Sequence, residues 1–89
     1  MTVEDEIVHW WKDENNESHR NILRIESEKP QVVNGFPRDG VITIRIINGS
    51  GAQAMKLSPD EALRLSSELM AISKELLNAK RVLWNQHEE

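Results

Sequence analysis

The chain has 89 residues, 38% of them hydrophobic, with no cysteine and a formal net charge of -4. The missing cysteines exclude a disulfide framework, a thiol nucleophile and cysteine-based metal centres, and the acidic balance argues against nonspecific duplex binding while leaving room for a local basic face. No run approaches the roughly 18 consecutive apolar residues of a membrane span, and the acidic Met1–Glu6 segment is unlike a signal peptide, so the expectation is one small cytoplasmic domain, residues 1–89, with no membrane partner.

The charge is unevenly spread. Residues 1–17 carry Glu4, Asp5, Glu6, Asp13, Glu14 and Glu17 against Lys12 alone. Residues 19–57 carry Arg20, Arg24, Lys29, Arg38, Arg45 and Lys56 against Glu26, Glu28 and Asp39. The first segment, 1–17, reads as an acidic arm or a first strand. Thr2 and Asp5 would suit a helix cap with Val3, Ile7 and Trp11 on one face, but Ile7-Val8-His9-Trp10-Trp11 is rich in strand formers. A strand is favoured, because Asp13–Ser18 then serves as a hairpin connection.

Residues 19–28 alternate, with Leu23 and Ile25 facing one way and Ile22, Arg24 and Glu26 the other, which predicts a half-buried strand. Lys29-Pro30-Gln31 breaks it. Asn34–Gly40 reads as a turn-rich loop anchored to the core by Val32, Val33 and Phe36. Val41–Ile47 is the strongest strand, with Ile42, Ile44 and Ile46 on the core face and Thr43 and Arg45 opposite. Asn48-Gly49 and Ser50-Gly51 supply positive-φ positions for a tight turn. Residues 52–57 return, with Gln53, Met55 and Leu57 on one face and Ala52, Ala54 and Lys56 on the other.

Ser58 then caps a helix over 58–85, with Pro59 at its first position and Glu61 completing a capping box. Leu65, Leu69, Ile72, Leu76, Ala79 and Leu83 recur at alternating steps of four and three, and Leu63, Met70, Leu77 and Trp84 form a second row. At 1.5 Å per residue, about 25 residues span roughly 38 Å, against about 20 Å for a six-residue strand. A helix overhanging its own sheet points to a homodimer seam at Leu65, Leu69, Ile72, Leu76 and Leu83. The expected class is therefore α+β: a three- or four-stranded antiparallel sheet, residues 19–57 with or without the first strand, followed by one long C-terminal amphipathic helix.

Chemistry is sparse. His9, His19 and His87 are scattered, so no metal site is expected; Asp60 and Glu61 are explained by helix capping; no phosphate-binding glycine loop or cofactor motif occurs. These features favour a noncatalytic binding protein without cofactors. Arg20, Arg24, Thr43, Arg45 and Lys56 share the non-core strand parity, and one of Trp10 and Trp11 should be exposed beside them. Cations that meet phosphates, with an aromatic platform for bases, are what single-stranded nucleic acid requires. The alternative is a protein-interaction or regulatory adaptor that docks a protein partner through exposed apolar residues such as Val82, Trp84 or a tryptophan of the first strand. Small dimers that order strands before one long helix include some single-strand DNA binders, which is an analogy of fold alone.

Overall fold

A computed structural model describes residues 1–87. The chain divides into two compact units, one from Met1 to Pro59 and one beginning at Asp60. The first holds a four-stranded antiparallel sheet in the order β1 (Thr2–Lys12), β2 (Ser18–Glu28), β5 (Val41–Asn48), β6 (Gly51–Leu57), and a separate two-stranded ribbon of β3 (Gln31–Val33) and β4 (Phe36–Arg38). The second is one helix, α1 (Pro59–His87). Four antiparallel strands followed by a long C-terminal helix match the class expected from the sequence.

Residues 1–17 resolve into strand β1 and most of a hairpin turn. Asn16 adopts φ 63° in that turn, and the Asp13 carboxylate closes it by accepting from the Asn15 and Glu17 amides at 2.9 and 3.0 Å. Asx turns of this kind suit Asp because its short side chain reaches its own downstream backbone. The ladder between β1 and β2 is regular except between Val3 and Asp5, where Glu4 is an extra residue forming a bulge.

Cross-strand register sorts the sheet into two faces. Asp5–Ile25–Ile44–Met55 and Ile7–Leu23–Ile46–Gln53 form adjacent rows on one face. Val3–Glu26–Thr43–Lys56 and Glu6–Arg24–Arg45–Ala54 form adjacent rows on the other. The alternation of β2, β5 and β6 in the sequence therefore places each side chain on its expected face. Burial is slight, however. Leu57 is the one buried hydrophobic residue among those described, and the most buried polar residues, Glu26 and Thr43, lie opposite one another on the charged face.

Two expectations need correction. The loop expected over 34–40 is not pinned to the core: β3 and β4 pair around Asn34 and Gly35, whose φ of 52° and 79° are the pair of positive angles a tight β-hairpin turn demands. Val32, Val33 and Phe36 stand exposed on the resulting ribbon. In the β5–β6 turn only Gly51, at φ 143°, takes a left-handed angle; Gly49 does not. The Ser50 amide there donates to the Asn48 carboxamide oxygen at 2.8 Å.

The helix starts at Pro59, as its capping sequence predicts, with Asp60 and Glu61 in its first turn. Its apolar residues from Leu63 to Trp84 are all exposed, those with large side chains by 40–69%. Its 29 residues span about 44 Å. The 11-residue strands β1 and β2 span about 36 Å, well beyond the six-residue strand on which the length argument rested. Length alone no longer argues for a partner helix. The two apolar rows together occupy well over 100° of the helix circumference. Among the described residues, no helix is long and apolar enough to cross a membrane.

Candidate nucleic-acid interface

Strand alternation decides the fate of the adjacent tryptophans. Trp10 lies opposite Arg20 and Trp11 opposite His19, so the two indoles emerge from opposite faces. Trp10 is 62% exposed, and the Arg20 guanidinium carbon sits 6.0 Å from its ring centroid, at the outer range of a cation–π contact. Arg20, Arg24, Thr43, Arg45, Lys56 and Trp10 share one face, as the parity of their strands predicts. Trp11 is on the other face, where its ring stacks on His19 at 4.6 Å between centroids.

The register also introduces acids that the one-dimensional pattern underweighted. Arg24 donates from Nε to Glu6 Oε1 at 2.6 Å. Arg45 grips Glu26 with two donors, Nε to Oε1 at 2.9 Å and Nη2 to Oε2 at 3.4 Å. Arg24 and Arg45 face each other across the β2–β5 ladder, with Glu6 beside Arg24 in the same row and Glu26 in the adjacent row, diagonal to Arg45. The centre of the basic face is therefore largely neutralised. The acidic N-terminal segment does not fold over the cations as a loose arm; it meets them edge-on, as a neighbouring strand.

The Arg45 hydrogen bonds hold the Glu26 carboxyl below its ordinary range, and Glu26 correspondingly raises Arg45. A depressed carboxylate contributes stability that is present above the unfolded-state value and is lost as pH falls through the folded-state value. Glu26→Gln should therefore lower the urea midpoint near neutral pH. Its deficit against the parent should narrow as pH drops below the usual glutamate range. Parallel urea titrations across that window check both the size and the sign.

Lys12, the lone cation of the acidic 1–17 segment, shares Trp10's face, two residues along β1 and opposite Ser18. Among the described residues neither Lys12 nor Arg20 forms an ion pair. The accessible aromatic-cation site thus lies toward the β1–β2 hairpin end, on Trp10, Lys12 and Arg20. A groove lined by Trp11, His19, Arg20, Ile22, Asn48 and Ser50 opens at the same end. The strand expected before the Asp13–Ser18 connection already includes Lys12, and its parity with Trp10 was the signal that places it on this face.

Asp13, Glu17 and His19 bring potential metal-ligand atoms within 4.8 Å of one another. His19 Nε2 lies 2.7 Å from Asp13 Oδ2, and the other Asp13 oxygen is committed to the turn amides. These contacts hold Asp13 below the ordinary carboxylate range, the His19 hydrogen bond contributing most. Closure of the turn accounts for this cluster without an ion.

Comparison with known protein families, curated proteins and solved structures finds no match to the chain.

Proposed function

We propose that this chain is a noncatalytic binding protein that acts as a homodimer and holds single-stranded nucleic acid on the Trp10–Arg20 face of its sheet. The exposed Trp10 with Arg20 over its ring carries the reading. Bases stack on such a platform irrespective of sequence, and neighbouring cations meet the phosphates. Lys12 and Lys56 extend the cationic track on the same face.

The decisive experiment is a titration with labelled single-stranded and duplex oligonucleotides over a range of salt. Single strands should bind better than duplex, and affinity should fall with salt. The slope of log affinity against log salt is about -0.7 per phosphate contacted on a single strand. Contacts by Lys12, Arg20 and Lys56 alone give a slope of about -2 per chain, whereas release of Arg24 and Arg45 from their carboxylates would steepen it to about -3.5. No binding at tens of micromolar overturns the nucleic-acid reading.

A protein-interaction module is the second reading, favoured by the exposed apolar rows of α1. Binding there would depend on Trp84 and Val82 rather than on Trp10 and Arg20, and it would be weakly sensitive to salt.

A further inference from the structure

The sheet has two free edges, β1 and β6, and they are unequally protected. Natural sheets guard an exposed edge with charge, proline or a bulge, because its unpaired N–H and C=O groups recruit another strand. β1 carries Glu4, Asp5 and Glu6 and the bulge at Glu4. Two copies of that edge would bring acids together. β6, Gly51-Ala52-Gln53-Ala54-Met55-Lys56-Leu57, has one charge, no proline and an unbroken register with β5. Residues 51–56 are all exposed.

Ladder alternation identifies which β6 groups point outward. The Asp13 amide donates to the Glu17 carbonyl at 3.1 Å, making 13–17 a bonded pair at the hairpin end. Bonded and non-bonded pairs alternate along an antiparallel ladder, and each residue's backbone groups serve one side of its strand. Residues 19, 21, 23 and 25 therefore bond toward β1, and 22, 24 and 26 toward β5. Consequently 42, 44 and 46 bond toward β6. Carried one strand further, Gln53 and Met55 bond inward to β5, while the N–H and C=O of Ala52, Ala54 and Lys56 project from the free edge.

We infer that a second copy of this chain pairs antiparallel with β6 about a two-fold axis at Ala54, continuing the four-stranded sheet into eight strands. Ala54 then exchanges both backbone hydrogen bonds with the partner's Ala54. Ala52 falls opposite Lys56 in each direction, and Gln53 opposite Met55. No like charges face each other in this register, and the central pair is small. The contact is isologous and closes on itself, as most soluble homo-oligomers do. It also places the Lys56 sides of the two cationic faces next to each other in one continuous surface. The inference rests on the reading that the chain self-associates, and it assigns that association an interface sharing no residue with the helix seam.

The absence of native cysteine makes the test clean. Ala54→Cys, oxidised in the full chain, should yield a covalent dimer, while Val8→Cys on the β1 edge should not. Ala54→Pro removes an N–H that points away from β5, a proline position edge strands tolerate. It should retain the parent circular dichroism but weaken association at least tenfold by sedimentation equilibrium. An assembled parent that cross-links only through residue 8, or is indifferent to Ala54→Pro, overturns the β6 interface and leaves self-association standing. A monomeric parent at all concentrations overturns both. Open-ended polymer in place of a closed species would show β6 pairing with β1 of the next copy and also overturn the two-fold contact.

Discussion

Replacing Leu69 or Leu76 with glutamate is expected to weaken self-association through α1, with the apparent dissociation constant of that contact rising by roughly 1,000-fold. Both residues lie on the row of α1 expected to form the seam, and their side chains are 55% and 65% exposed in the single chain. Burial of a leucine contributes about 2 kcal/mol. A homodimer loses two of them per substitution, so about 4 kcal/mol disappears, which is close to three decades in affinity. The glutamates add the cost of placing charge at an apolar contact. Far-side substitutions such as Lys74→Glu remove no seam contact and serve as controls. Sedimentation equilibrium with circular dichroism reads the outcome. Dissociation with the strand signal preserved means that the sheet unit folds before helix pairing; loss of both signals means that folding and association are coupled. An unchanged mass for both leucine variants would place the seam on the Leu63–Met70–Leu77–Trp84 row or remove it from the helix.

The helix and the faces of β2, β5 and β6 were readable because period and parity are local properties. Ile42, Ile44 and Ile46 share a face whatever they pack against, and Ser58-Pro59-Asp60-Glu61 marks a helix start without reference to the rest of the chain. The candidate site was readable only in part, because its electrostatics depend on register. Arg24 meets Glu6 from 18 residues away, and the pairing that joins them depends on the residue count of the 13–17 turn, from which the register runs unbroken to Asp5. A one-residue slip would send Glu6 to the opposite face. The Asn34-Gly35 dipeptide, by contrast, was a local signal: it marks a hairpin as strongly as it breaks a strand, and its flanking Val33 and Phe36 pair across the turn.

Removing the Trp10 ring is the sharpest test of the nucleic-acid reading, because strand geometry supplies an internal control one residue away. Base stacking on an aromatic side chain contributes about 1–3 kcal/mol, so Trp10→Ala should weaken single-strand binding by roughly 5- to 150-fold. Trp10→Phe should recover much of that loss, since a π-face remains. Trp11→Ala removes a ring from the opposite face that is stacked on His19, and it should affect binding less unless the strand enters the adjoining groove. Arg20→Gln should weaken binding and flatten the salt slope by about 0.7, the signature of one lost phosphate contact. Arg24→Gln should change the slope little if Glu6 keeps that guanidinium occupied. Glu6→Gln should then strengthen binding and steepen the slope, because it frees a cation already lying in the track. Fluorescence anisotropy at several salt concentrations separates these effects. Equal losses for Trp10→Ala and Trp11→Ala with no change of slope for Arg20→Gln would mean that the hairpin is needed for folding and that the ligand lies elsewhere.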